Sequence, residues 1–245
     1  MIRLSVNVNK VATLRNSRGG TQPSVLDAVR VCLRAGARGI TVHPRADARH
    51  ITRQDAIDIA RLLAPERGSV EYNIEGDPRP DLLALVHEVR PDQCTLVPVV
   101  PGEITSQAGW RPGAGDGGLR RAIGELHTAG VRVSVFVDAA AEPVLWAASV
   151  GADRVELYTE PFARAFERGQ AAARESLAAY VAAAEAAHAE GLGVNAGHDL
   201  DLDNLVLFRE LPHLDEVSIG HAIISRAVFV GLETVVREYV RLLEP

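Results

Sequence analysis

Strand-like and helix-like runs alternate eight times along this chain, and that alternation limits the possible folds more than any other feature. The strand-like runs fall at residues 3–9, 39–43, 69–75, 93–97, 131–137, 153–158, 193–195 and 216–219. Between and after them, apolar residues recur at helical spacing, as in Val25, Val29, Cys32 and Leu33. The helical segments are 22–35, a helix capped by Thr52, then 81–89, 119–129, 142–150, 171–190, 202–209 and 232–243, with a short helical turn from His221. Three joins share a phrase (AGARGITV, AGVRVSVFV, VGADRVELY) that puts a helix-ending glycine just before a β-branched strand. Eight βα units in about 250 residues match a closed (β/α)8 barrel of the TIM type. A doubly wound open sheet would carry a GxGxxG turn after its first strand, and none occurs there. The expectation is therefore a single (β/α)8 barrel domain over residues 1–245. A long Gly/Pro-rich segment after the fourth strand, 98–118, is long enough to serve as a lid.

Composition removes several function classes. A net charge of −6 and a pI near 5.8 argue against a nucleic-acid scaffold, which would present a basic face. No run approaches 18 uninterrupted apolar residues, so no membrane-spanning helix is expected. The opening MIRLSVNVNK enters a strand directly and has no signal-peptide pattern. Cys32 and Cys94 sit inside apolar runs without metal-ligand spacing and read as small buried hydrophobes in a reducing, cytoplasmic setting.

The alternation also separates two faces. Val6, Val8, Ile40, Val42, Tyr72, Ile74, Val133, Val135, Val155 and Leu157 form a continuous apolar set suited to packing against helices. The opposite positions collect Asn7, Asn9, Thr41, His43, Asn73, Glu75, Ser134, Asp138, Glu156, Asn195 and Ser218, too much polarity for a barrel interior that only packs. An unpaired buried carboxylate costs several kcal/mol, so Glu75 and Glu156 call for partners or a polar ligand. His43, His198 and His221 directly follow strands, and His50 lies in the loop after the second. Four histidines on one rim above two inward glutamates form a candidate acid–base site. Gly220–His221 opens a helical turn where barrels often bind phosphate, and Arg18, Arg45 and Arg49 stand on loops of the same rim. Lys10 is the one lysine among 26 basic residues, just past Asn7 and Asn9. A compact ammonium fits a crowded polar contact where a guanidinium does not.

Taken together, VNVNKVATLRNSRGG, GITVHPRADARHIT, NIEG, TLVP…EIT, VELYTEP, VNAGHDL and SIGHAIISRA, in this order and spacing, resemble the pyridoxine 5′-phosphate synthase family of deoxyxylulose-dependent vitamin B6 biosynthesis. The resemblance spans essentially the whole chain. It implies a (β/α)8 barrel with extra short helices, a homo-octamer built as a tetramer of dimers, and no metal or other cofactor. The implied reaction condenses two phosphorylated small molecules, 1-deoxy-D-xylulose 5-phosphate and 3-amino-2-oxopropyl phosphate, to pyridoxine 5′-phosphate, phosphate and water. By the same resemblance His43 and Glu75 accept protons, His198 donates one, and Glu156 stabilises charged intermediates. Asn7, Arg18, Gly220 and His221, with the backbone at Asp199, would hold the aminoketone phosphate. Asn9, Lys10, Arg45, His50 and Thr105 would hold the deoxyxylulose phosphate. Some members of the family carry Asp-His where this chain has Asn9-Lys10.

Overall fold

The computed structural model describes residues 1–99, 108–113 and 116–244. Eight strands form the framework: β1 (Arg3–Asn7), β2 (Gly39–Val42), β3 (Glu71–Gly76), β4 (Gln93–Leu96), β5 (Arg132–Val137), β6 (Arg154–Tyr158), β7 (Gly193–Gly197) and β8 (Leu214–Ile219). They pair in parallel in chain order, and β8 returns to β1 with Ser218 opposite Ser5, so the sheet closes. Helices α1 (Asn9–Asn16), α2 (Val25–Arg34), α3 (Arg53–Leu63), α4 (Pro80–Val89), α5 (Asp116–Thr128), α6 (Ala141–Val150), α7 (Glu160–Glu167), α8 (Gln170–Ala189), α9 (Leu205–Phe208), α10 (His221–Val230) and α11 (Leu232–Leu243) surround it. The architecture is the TIM barrel anticipated from the alternation.

Local chemistry explains the boundaries. Thr52 Oγ1 accepts the Asp55 N–H while the Asp55 carboxylate accepts the Thr52 N–H, the reciprocal cap that starts α3. Gly151 ends α6 at φ +95°, a left-handed conformation cheap only for glycine, with its N–H on the Ala147 and Ala148 carbonyls.

Four segments depart from the sequence reading. In the sequence, alternation runs through Asn9, but β1 stops at Asn7 because Val8 adopts φ −91°, ψ 10°, and α1 begins at once. The first turn of α1 is itself half-buried, so Val8, Val11 and Ala12 continue an apolar pattern that mimics a longer strand. Helix α7 lies in what read as connection, with Pro161 in its first turn. The helix expected over 202–209 shrinks to α9, because the Asp201 carboxylate accepts the Asp203 and Asn204 N–H groups and holds that stretch in a side-chain turn. The turn from His221 is instead a ten-residue helix, α10, that buries only Ile223.

Inside the barrel the alternate strand residues form polar tiers. At the N-terminal end Glu71 pairs with Arg3 at 3.3 Å, Arg132 at 2.5 Å and Arg154 at 4.0 Å. Above it runs a hydroxyl–amide ladder: Ser5 with Thr41, Asn73 donating to Thr41, Thr95 to Asn73, and Gln93 to Thr95. The polar interior is thus largely satisfied, as burial requires. The apolar face carries the stability, with Val6, Ile40, Val42, Ile74, Val133, Val135, Val155 and Leu157 fully buried beneath the helices. Among the described residues no helix is long and apolar enough to cross a membrane.

The lowest tier has a pH signature. Burial, then the charge of Glu71, raises the Glu216 carboxyl to about 8. An ordinary Glu titrates near 4.3, so across the interval up to about 8 the folded chain keeps a proton that the unfolded chain releases. This contribution to stability is complete at acid pH and disappears as pH rises through about 8. Glu216→Gln stays neutral and is expected to flatten the fall in thermal midpoint between about pH 5 and about pH 9. Thermal denaturation across that range checks it, and an unchanged slope would remove Glu216 as the cause.

Candidate active site

A cavity of about 650 Å³ opens at the C-terminal ends of the strands. The inward alternation of the strands delivers its floor: Asn7 from β1, Glu75 from β3, Phe136 from β5, Glu156 from β6 and Ser218 from β8. Loops deliver the rim: Asn9 and Lys10 in the first turn of α1, His43, Arg45, Arg49 and His50 after β2, His198 and Asp199 after β7, and Gly220 and His221 after β8.

Glu75 and Glu156 are buried, at 9% and 4% exposure. Burial first, then the charges of Glu156 and Glu216, pushes Glu75 well above the ordinary carboxylate range, opposed by a hydrogen bond from Ser218. Burial raises Glu156 to about 7, opposed by the charge of His198 and a hydrogen bond from Thr95. Asn7 Nδ2 donates to Glu75 Oε2 at 3.4 Å, and His43 Nδ1 stands 3.8 Å from the same oxygen. Burial, then the neighbouring His50, Arg45 and Arg79, lowers His43 to about 3, so its imidazole is neutral. Its Nε2 is buried without a hydrogen-bond partner among the described residues. Gly197 in β7 has no room for a side chain: a Cβ there would lie 2.4 Å from Glu156 Oε1.

The β2 loop is clamped from outside. Arg15 on α1 forks onto Asp55 at 2.5 and 2.9 Å and reaches the His50 carbonyl, to which Asn16 also donates at 2.8 Å. His50 is thereby held over the mouth, where burial and then the charges of Arg45 and Lys10 lower it to about 4. Lys10, Arg45 and Arg49 make one edge of the mouth cationic beside the neutral His50, while Gly220, His221 and Arg164 stand at another.

One expected residue falls outside the cavity lining, and another lies outside the described residues. Arg18 is exposed beyond the end of α1 and does not line the cavity, because α1 carries the chain away from the mouth where the sequence suggested a loop. Thr105, with the rest of 100–107 and with 114–115 of the segment read as a lid, lies outside the described residues. Asn9 also changes character. Its Oδ1 accepts the His43 N–H at 2.9 Å, so it ties α1 to the loop that carries His43. Asp138, read as an inward group, instead accepts the Gly109 N–H, beside Trp110 bonded to the Phe136 and Leu96 carbonyls. Sequence reading missed Arg164, Phe166 and Glu167, which α7 contributes to the lining. The available signal was Glu160-Pro161 at a helix start followed by Phe162 and Phe166 four residues apart. Among the described residues no three His, Cys, Asp or Glu side chains are grouped so that they could hold a metal ion.

A TIM barrel whose mouth joins two carboxyls raised toward neutrality, a neutral buried imidazole and cationic edges is, by class, an acid–base enzyme for small anionic substrates. The chain belongs within that class to the PdxJ family of pyridoxal phosphate biosynthesis proteins, whose model matches residues 4–245. It is 51% identical over 240 residues to the pyridoxine 5′-phosphate synthase of Porphyromonas gingivalis, covering 98% of each chain. It is 50% identical over 245 residues to that of Cytophaga hutchinsonii, covering 100% of both. Among solved structures it is similar in fold to 3-hexulose-6-phosphate synthase, with a TM-score of 0.64 at 12% identity, covering 99% of this chain and 100% of that one. Phosphoribosyl anthranilate isomerase from Thermus thermophilus gives 0.60 at 15% identity, covering 99% and 98%.

Proposed function

We propose that the chain is a pyridoxine 5′-phosphate synthase, condensing 1-deoxy-D-xylulose 5-phosphate with 3-amino-2-oxopropyl phosphate to pyridoxine 5′-phosphate, phosphate and water. The observation that carries the reading is the convergence of His43, Glu75, Glu156 and His198 on one cavity in a chain of this family. The aminoketone arrives as an ammonium and must lose a proton before its nitrogen can attack the ketone. Its positive charge between Glu75 and Glu156 favours their ionised forms, and a carboxyl raised toward neutrality is a strong base once ionised. Imine, enamine and dehydration steps follow, each moving a proton at a different atom. Neutral His43 accepts, His198 donates, and Glu156 balances the cationic intermediates. The closed-in floor keeps water from the imines.

The two phosphates go to separate edges. Asn7, Gly220 and His221, at the start of α10, take the aminoketone phosphate, with the Asp199 backbone beside them. Lys10, Arg45 and His50 take the deoxyxylulose phosphate, with Asn9 and Thr105 in support. Arg18 stands outside the cavity and is assigned no contact. Incubating the purified protein with both substrates and following pyridoxine 5′-phosphate and inorganic phosphate together tests the assignment. Release of neither product would overturn it.

Lys10 gives a finer check. It is exposed at the cavity edge, where the resemblance noted above has Asp-His in some family members in place of Asn9-Lys10. Lys10→Arg is expected to fold normally but lose most of kcat/KM for the ketose, roughly 10-fold or more, because the planar fork does not fit a point-charge contact. Steady-state kinetics with each substrate varied would show it, and wild-type constants would make Lys10 a coincidence.

The assembly belongs to the same reading: a homo-octamer of four dimers, in the cytoplasm. The support is α10, which leaves Val228, Phe229 and Val230 exposed at 71%, 86% and 43%, an apolar stretch that a second copy would cover. Sedimentation of the full chain checks it, with a monomer counting against it.

A further inference from the structure

His198 and Asp199 leave strand geometry together, with φ +92° and +59°. Along a strand successive side chains point to opposite faces. The left-handed backbone after β7 breaks that alternation, and Asp199 Oδ2 comes to lie 2.9 Å from His198 Nδ1. Neither residue is glycine, so the surroundings must hold this conformation. Thr159, fully buried after β6, donates its N–H to the Gly197 carbonyl at 3.0 Å. Its hydroxyl reaches the Gly197 and His198 carbonyls. From the other side Asn204 Nδ2 donates to the Asp199 carbonyl at 3.0 Å, and the Asn204 amide is in turn bonded by Asp201. The His198 ring rests edge-on against Tyr158 at 5.2 Å and beside Phe136 at 6.4 Å.

We propose that Asp199 is a positioning residue for His198: its carboxylate accepts the Nδ1–H and fixes one ring orientation, so that Nε2 is the atom that donates its proton to substrate from the imidazolium and is left as the acceptor that recovers it. The proposal rests on the reading of His198 as an acid–base group. It gives the Asp199 side chain a task where the resemblance implies only a backbone contact. An imidazole without such a partner samples both neutral tautomers, and only one of them carries its proton on Nδ1. The other charged or titratable groups around the pair are Glu156 and Tyr158 from β6, Arg164 from α7 and His221 from α10. None of these donates to or accepts from Nδ1 in the hydrogen bonds described, whereas Asp199 does. Asp199 is held below the ordinary carboxylate range, first by the bond from His198, so it acts as an acceptor.

The test compares wild type with Asp199→Ala and Asp199→Asn. Imidazole ¹⁵N spectra, assigned with His198→Gln, report the tautomer at about pH 8.5, where an ordinary imidazole is neutral. Wild type should show the Nδ1–H form, and both variants a mixture. Turnover should fall about 10- to 100-fold in kcat with KM little changed, at an unaltered circular-dichroism spectrum and thermal midpoint. A KM rise with kcat preserved would make Asp199 a substrate contact and overturn the proposal, as would an unchanged tautomer in Asp199→Ala. Should wild type lack turnover with both substrates, the functional reading fails, and the spectra alone then decide the pairing.

Discussion

Glu75→Gln is expected to abolish measurable condensation, lowering kcat by roughly 10³-fold, while the barrel folds at least as well as wild type. Stability and activity separate here because of the site's electrostatics. In the folded chain burial and neighbouring carboxyls favour the protonated, neutral Glu75, and glutamine copies that form in shape and charge. It keeps an oxygen toward Asn7 Nδ2, so little packing is lost. It cannot take a proton from the substrate ammonium or from an enolisable carbon, so the chemical steps stall. The pH dependence carries a second signature. A carboxyl whose folded pKa is raised supports stability most at acid pH and loses that support as pH rises through its folded value. Glu75→Gln should therefore gain most over wild type at alkaline pH. Thermal midpoints across pH, read beside product formation, separate the two effects. Near-normal turnover would remove Glu75 from the mechanism.

Gly197→Ala should do comparable damage from a position that carries no functional group. The new methyl would sit 2.4 Å from Glu156 Oε1, closer than real Cβ contacts occur, and 3.3 Å from the Ser218 carbonyl oxygen, a tight contact. The Glu156 carboxyl, part of the cavity floor, must shift from its place there. Overpacking of this kind costs about 1–3 kcal/mol, and displacement of a charge-balancing group by even about 1 Å costs roughly 10²-fold in rate. Adding Glu156→Asp, which withdraws the carboxyl by one methylene, should recover most of the stability but not the rate. Calorimetry and kinetics on the single and double variants check both halves. A Gly197→Ala enzyme of wild-type rate would mean that the position of Glu156 is not critical.

The barrel and much of its site are legible in the chain because both are written in local patterns. Period-two alternation separates Val6, Ile40 and Val133 from Asn7, Glu75 and Glu156 without knowledge of any neighbour, and a parallel βα repeat of eight closes on itself. The histidines that follow strands had to reach the catalytic rim for the same reason. Long-range neighbours decided the rest. Alternation continues through Val8 and Asn9, and only the approach of β2 shows that Asn9 turns into a helix and holds His43 by its backbone. Arg18, exposed past the end of α1, does not line the cavity, which its place in the chain alone does not show.

The amino-acid sequence by itself determined the periodicities, hence the barrel, the inward set and the residues available for acid–base work. Tertiary structure alone decided what those residues became. A raised Glu75, a neutral His43 and an Asp199 paired with His198 depend on desolvation and on charges carried by other strands and loops. Electrostatic energy follows distance and burial in space, and neither is fixed until the eight strands close.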